Sequence, residues 1–231
     1  PLAALVVAPA LAYVVRYRVE ERTRRRIQHA FSHYLSPVVV DRLVKEPSAL
    51  KLGGDRREVT VMFADLSGFT ALSGKVEPEV LTLLVNEYLG YIVEQVDATR
   101  GYVDKFIGDA VLALWGAPAP DPEHAVNAIR GALAAVARIR QERDAAIARG
   151  DTGFSVKIGL NSGLAVVGNV GTVKRYNYTA IGETVNVASR LESVPSLFGC
   201  QVVIGPLTAE LAKDEFLLRE LGSALDHCRE V

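Results

Sequence analysis

Val59-Thr60-Val61-Met62-Phe63-Ala64-Asp65-Leu66-Ser67-Gly68-Phe69-Thr70 is the stretch on which the architecture turns. Val59, Val61 and Phe63 alternate with Thr60, Met62 and Ala64, a mostly apolar run that suits a strand buried inside a sheet. The strand is predicted to end at Asp65, and Ser67-Gly68-Phe69-Thr70 to lead into a short helix. Further on, Leu81, Leu84, Tyr88, Ile92 and Val96 recur at helical steps, predicting a long helix from Glu77 to about Thr99 with one buried face. Gly101–Lys105 and Ala110–Trp115 read as a hairpin pair of strands. Asp121-Pro122-Glu123 reads as the N-cap, first-position proline and acidic first turn of a second long helix, with Ala125, Ile129, Leu133, Val136 and Ile139 inward.

Strands are expected at Phe154–Leu160, Leu164–Val167 and Asn177–Ala180, with Gly163, Gly168 and Gly171 at hairpin and loop positions. A helix over Thr184–Glu192 and short elements follow. The order of elements predicts an α+β fold, a sheet with helices packed on one of its faces.

Upstream, Gly53-Gly54-Asp55-Arg56-Arg57 reads as a charged, glycine-rich joint. Pro1–Val15 is uncharged and is followed by Arg16, Arg18, Arg22, Arg24, Arg25 and Arg26, a cationic flank of the kind that marks the cytoplasmic side of a membrane. About 20 apolar residues are needed to cross a bilayer, so residues 1–16 are expected to be the C-terminal part of a transmembrane helix. Residues 17–55 are expected to form a cytoplasmic linker, with a coiled-coil stripe at Val19, Ile27, Phe31 and Tyr34 and a short helix from Ser36-Pro37 through Val40, Leu43 and Val44. Residues 56–231 are then the main domain. These features predict anchoring to the inner (plasma) membrane, a cytoplasmic domain, and an upstream sensor ahead of Pro1.

The 231 residues are 49% hydrophobic and 23% charged, which excludes disordered and collagen-like classes. A net charge of −1 gives no overall field toward nucleic acid, which is not an expected partner. Cys200 and Cys228 are too far apart for a metal-ligand spacing and indicate a reducing compartment. His29, His33, His124 and His227 form no cluster, and no Ser-His or Cys-His arrangement points to covalent catalysis.

Asp65 at a strand end and Asp109 in the tight turn Ile107-Gly108-Asp109-Ala110 are the candidates for chemistry. If that turn lies beside the end of the first strand, two carboxylates converge and repel unless a cation sits between them. Mg²⁺ takes one or two carboxylates and leaves room for phosphate oxygens. Backbone N–H groups at the start of the helix near Gly68, Phe69 and Thr70 can cradle phosphate. Read singly, either aspartate is equally well a turn former.

Taken together, Val61–Ala71, Val103–Trp115, Val156–Gly163 and Tyr178–Ser193 resemble, in order and spacing, the catalytic domain of class III nucleotidyl cyclases. The resemblance runs from about Arg56 to Leu221 and implies that family's antiparallel-rich mixed sheet. It implies that Asp65, Asp109 and the backbone carbonyl of Leu66 bind metal, two Mg²⁺ or Mn²⁺ per site. Lys105 and Thr179 match the purine-reading positions. Asn186 and Arg190 match those that position the ribose and stabilise the reacting phosphate, and Lys157 falls where the family has a basic residue near the terminal phosphates. It further implies a homodimer with shared sites, one subunit giving the aspartates and the other giving Lys105, Thr179, Asn186 and Arg190.

Asn186 and Arg190 are four apart, so on a helix they share a face. A lysine ammonium only donates, which suits the acceptor N1 of adenine and not the protonated N1 of guanine. The resemblance therefore implies an adenylate cyclase of the threonine-type subclass, acting on ATP in signal transduction. A guanylate cyclase and a degenerate, non-enzymatic dimerisation module are the alternatives. Departures are Glu183, where the family often has aspartate, and Ser223–Val231, which does not match the family's usual final strand region and contains no lysine.

Overall fold

The computed structural model describes residues 51–74 and 76–222, together with Arg16, Arg18 and Glu21. The chain divides into two units, 1–50 and 51–231. In the first, Arg16, Arg18 and Glu21 are helical. The expected transmembrane turns of Pro1–Val15, the coiled-coil stripe and the Ser36–Val44 helix lie outside the described residues. Among the described residues no helix is long and apolar enough to cross a membrane.

In the second unit, strand β1 spans Gly53–Ser67. Val59, Thr60, Val61, Met62 and Ala64 are wholly buried, so both faces of this strand are covered. It pairs antiparallel with β3 (Ala110–Trp115) on one side and along its whole length with β4 (Ser155–Thr172) on the other. β2 (Tyr102–Ile107) pairs with β3, and β5 (Arg175–Ile181) with the second half of β4. β6 (Val202–Ile204) joins the first half of β4 in parallel. The order is β2-β3-β1-β4-β5 with β6 off this path, the antiparallel-rich mixed sheet that was expected.

The helices are α1 (Phe69–Ser73), α2 (Pro78–Ala98), α3 (His124–Ala148), α4 (Glu183–Ser193), α5 (Pro195–Phe198) and α6 (Pro206–Ala212). Tyr88, Ile92 and Val96 of α2 and Ile129, Ala132 and Ile139 of α3 pack on Met62, Trp115, Ile158 and their neighbours. Full burial of a residue such as Met62 or Ile92 contributes about 2 kcal/mol relative to exposure. Trp115 is also wholly buried, and its indole N–H donates to Thr99 O at 3.0 Å.

Several expectations are corrected. The glycine-rich segment at Gly53–Arg57 is the start of β1, paired with Ala165–Asn169, and no joint. The strands expected at Phe154–Leu160 and Leu164–Val167 are one continuous β4, which contains Gly163, Gly168 and Gly171. The turn-like residues between them have tertiary partners. Asn161 Nδ2 donates to Thr184 O at 3.1 Å, and Ser162 Oγ lies 2.7 Å from Thr60 Oγ1 and accepts from Thr208 Oγ1 at 2.9 Å.

Helices also cover both faces of the sheet. Gly159 faces away from the Ile158 side, and α4 lies directly on it. A Cβ at Gly159 would come within 2.3 Å of Glu192 N and 2.5 Å of Ala188 O, so only glycine permits this approach. Helix α3 starts at His124, because Asp121 caps the turn before it, accepting from Glu123 N at 3.1 Å and from Asn127 Nδ2 at 2.8 Å. Leu133 points outward (46% exposed), and Ala128, Ala132 and Ala135 make the close face against the sheet instead.

His124 is buried, with Nδ1 2.7 Å from Thr60 Oγ1. Burial lowers its pKa, against the weaker opposite pull of Glu58 and Asp121. The unfolded chain therefore takes up a proton near pH 6.5 that the folded chain refuses until lower pH. This contribution to stability is complete above about pH 6.5 and is lost as pH falls below it. His124→Asn should flatten that segment. The drop in melting temperature between pH 7.5 and pH 5.5, measured by circular dichroism, should be smaller than in the wild type. An equal drop would refute the assignment.

Candidate active site

Asp65 pairs across the sheet with Ala110 on one side and Lys157 on the other. Gly108, at φ 65°, closes the β2–β3 turn in a conformation that favours glycine. That turn sets Asp109 immediately before Ala110, at the same end of the sheet as Asp65. Burial raises the pKa of Asp109, and the Asp65 charge adds to the rise, while its own backbone N–H and Lys157 oppose it. The two carboxylates thus feel each other, as the sequence predicts. Lys157 Nζ lies 3.3 Å from Asp65 Oδ2 and 3.0 Å from Glu192 Oε1. Burial would lower the Lys157 pKa, but Glu192 and then Asp65 outweigh it and the net shift is upward. Lys157 is therefore a fixed cation at the acidic pair, held by Glu192 as well as by Asp65.

Leu66 is 2% exposed, its side chain in the core, so only its backbone carbonyl is available as a ligand. Among the described residues no group of three or more His, Cys, Asp or Glu could hold a metal ion. The acidic pair still suits Mg²⁺, which completes its shell with phosphate oxygens and water. Gly68 is the N-cap of α1, and no side chain caps that helix. Phe69 packs against the core, so what it can offer a substrate is its backbone N–H. Thr70 lies in α1, and its side chain is outside the described set.

β2 and β5 stand at opposite ends of the strand order, yet the sheet coils until they meet. Lys105 Nζ donates to Thr179 Oγ1 at 3.2 Å, and Tyr102 OH donates to Tyr178 O at 3.1 Å. The two tyrosine rings meet edge to face at 5.8 Å. Thr179 Oγ1 also donates to Asp104 Oδ2. The register of β2 shifts between Val103 and Lys105, a bulge at Asp104 that re-aims its side chain. Asp104 and Lys105 are neighbours in one strand, and through the bulge both reach Thr179. The Asp104 side chain has no exposure to solvent. Sequence reasoning missed Asp104 and Glu192. A charged residue within the apolar pattern of β2 is the available signal for the first, and Glu192 lies within the Tyr178–Ser193 segment with no local pattern that points to its contact.

Asn186 and Arg190 are exposed on α4, while Thr184 and Ala188 form its buried stripe. The expected shared face is therefore present and points away from this chain's own core. Among the described residues Arg190 makes no ion pair with Asp65 or Asp109. Within one chain the structure groups Asp65, Asp109 and Lys157 at one place and Lys105 and Thr179 at another.

Residues 54–224 match the family described as the adenylate and guanylate cyclase catalytic domain. The chain belongs to that family. Such cyclase domains use divalent metal ions, in keeping with the Asp65–Asp109 pair. Adenylate cyclase 1 of Rhizobium meliloti is 41% identical to this cyclase domain over 169 residues, 73% of the chain and 25% of that protein. The adenylate cyclase of Anabaena cylindrica is 36% identical over 152 residues, 64% of the chain and 29% of that protein. The match thus spans only about a quarter of the length of these curated relatives. Among solved structures, the adenylyl cyclase CyaB from P. aeruginosa superposes with a TM-score of 0.68 at 36% identity, covering 74% of this chain and 88% of that one. The guanylyl cyclase Cya2 superposes at 0.65 with 31% identity, covering 74% and 89%. The fold of the cyclase domain is therefore common to enzymes of both base specificities and does not by itself point to one base.

Proposed function

We propose that this chain carries an adenylate cyclase, which converts ATP to 3′,5′-cyclic AMP and pyrophosphate at two sites shared across a homodimer. The observation that favours adenine is the contact of Lys105 Nζ with Thr179 Oγ1 at 3.2 Å, a donor-only group beside a hydroxyl that can accept. Asp65, Asp109 and the Leu66 carbonyl would hold two Mg²⁺ or Mn²⁺. Bound there, the ions supply charge that neutralises the phosphates and eases deprotonation of the ribose 3′-hydroxyl.

In the reaction the ribose 3′-hydroxyl gives up its proton to water, its oxygen bonds to the α-phosphorus, the bond from that phosphorus to the bridging oxygen breaks, and pyrophosphate leaves with the electron pair. Asn186 orients the ribose. Arg190, a permanently charged fork, stabilises the charge that grows on the phosphoryl group. Lys157 supports the terminal phosphates, and the N–H groups of Gly68, Phe69 and Thr70 line the approach of the triphosphate.

The exposure of Asn186 and Arg190 supports the shared site, because among the described residues neither side chain is held by a carboxylate of its own chain. Exposed apolar residues on the β4–β5 hairpin, Leu164, Val166 and Ile181, supply a surface for such a partner. Anchoring by Pro1–Val15 to the inner membrane, a cytoplasmic domain, an upstream sensor and the threonine-type subclass belong to the same reading.

Purified protein incubated with Mg-ATP, Mn-ATP and Mn-GTP tests it. Cyclic AMP from ATP should exceed cyclic GMP from GTP by at least about a hundredfold in kcat/KM, since a guanine leaves both base contacts mismatched. Cyclic GMP as the main product would overturn the base assignment. No product from either nucleotide would favour the non-enzymatic alternative.

A further inference from the structure

We infer that Asp104 sets the base preference of the site by taking the one proton of the Thr179 hydroxyl, so that Thr179 faces the base only as an acceptor. The inference rests on the reading of Lys105 and Thr179 as the base-facing pair and assigns Asp104 as a positioning residue behind them.

A threonine hydroxyl alone does not choose between bases. It has one proton and two lone pairs, so it serves the 6-amino group of adenine and the 6-oxo group of guanine equally well. The surroundings of Thr179 remove that freedom. An ionised carboxylate only accepts, so in the contact between Thr179 Oγ1 and Asp104 Oδ2 the hydroxyl is the donor. Lys105 Nζ donates to the same oxygen at 3.2 Å and takes up one lone pair. One lone pair remains. It matches an amino group and repels an oxo group.

Lys105 is ordered by the same arrangement. It lies 3.5 Å from Asp104 Oδ1 and has a further N–H for the N1 acceptor of adenine. Asp104 therefore orients both base-reading groups.

Two features make the arrangement firm. The Asp104 side chain is closed off from solvent, so water does not replace Thr179 as its donor. The bulge in β2 turns Asp104 toward β5 beside Lys105, where a regular strand would send neighbours to opposite faces. Burial raises the Asp104 pKa, and the Thr179 hydroxyl and the Lys105 ammonium offset only part of that rise.

The experiment compares ATP with purine riboside triphosphate, which keeps the N1 acceptor and lacks only the 6-amino group. Both are supplied to the full chain at pH 8, and the ratio of their kcat/KM values is measured. The wild type should favour ATP by about tenfold, the value of one well-made hydrogen bond. In Asp104→Asn the amide can donate to Thr179 and release its proton, and the ratio should fall to about threefold or less. A purely structural role would slow both substrates alike and leave the ratio unchanged. Asp104→Ala, with neither donor nor acceptor, should narrow the ratio in the same way and serves if Asp104→Asn does not fold. A wild-type ratio that persists in the folded variant overturns the inference while the cyclase reading stands. If the wild type forms no cyclic AMP from ATP, the cyclase reading fails and the inference falls with it.

Discussion

Asp65→Asn should lower cyclic AMP formation by on the order of a thousandfold and leave the fold intact. The substitution keeps the shape of the side chain and removes its charge, which is what a divalent cation and the phosphates around it require. Structurally little else changes. Lys157 keeps Glu192 at 3.0 Å, so the ammonium is not stranded beside an empty position. Asp109 loses the repulsion that contributes to its raised pKa. Thermal stability should therefore shift by no more than about 1 kcal/mol, the usual worth of a partly exposed ion pair. Product formation and a melting curve on the same sample separate the two effects. Activity within tenfold of the wild type would show that Asp65 does not serve the metal, and the catalytic reading of the acidic pair would fail.

Mixing two inactive variants should restore activity. Asp109→Asn removes a carboxylate, and Arg190→Ala removes the exposed guanidinium on α4. If each site takes its carboxylates from one subunit and its arginine from the other, a heterodimer of the two variants has one doubly damaged site and one intact site. With random pairing half of the dimers are mixed, so the mixture should recover about a quarter of wild-type activity from two components that are each nearly inactive. Co-expression or refolding from denaturant ensures exchange of subunits, and differently tagged chains allow the mixed dimer to be isolated. Activity that stays at the mean of the two parents would mean that each chain builds its own site. In that case Arg190 would have to move toward the carboxylates of the same chain.

Local patterns carried much of the architecture. The three- and four-residue spacing of Leu81, Leu84, Tyr88, Ile92 and Val96 marked α2, found at Pro78–Ala98. Gly108-Asp109 between two apolar runs marked the β2–β3 hairpin, and the motif ending in Asn186, Arg190 and Glu192 marked α4. In each case the signal is a period or a turn residue whose physical cause lies within a few neighbours. β4 failed that test. Asn161-Ser162-Gly163 has the composition of a turn, which predicts a break in the strand there. In the folded chain Asn161 bonds to Thr184, Ser162 joins Thr60 and Thr208, and Gly163 leaves room for the Thr184 side chain. Each of those partners is distant in sequence, so no local rule could have weighed them.

The candidate site divides along the same line. Which residue types are present, and which pairs share a helix face or a hairpin turn, follows from the order of amino acids. The linear chain alone puts an acidic group at Asp65 and another at Asp109, and spaces Asn186 one turn before Arg190. Long-range folding alone brings Lys105 of β2 to Thr179 of β5, lays α4 on Gly159, and sets Lys157 between Asp65 and Glu192. It also turns Asp104 inward through a bulge that its neighbours in sequence do not announce. The reason is that sheet coil, strand register and close backbone approach depend on contacts between segments far apart along the chain, whereas helical period and turn chemistry depend on contacts within it.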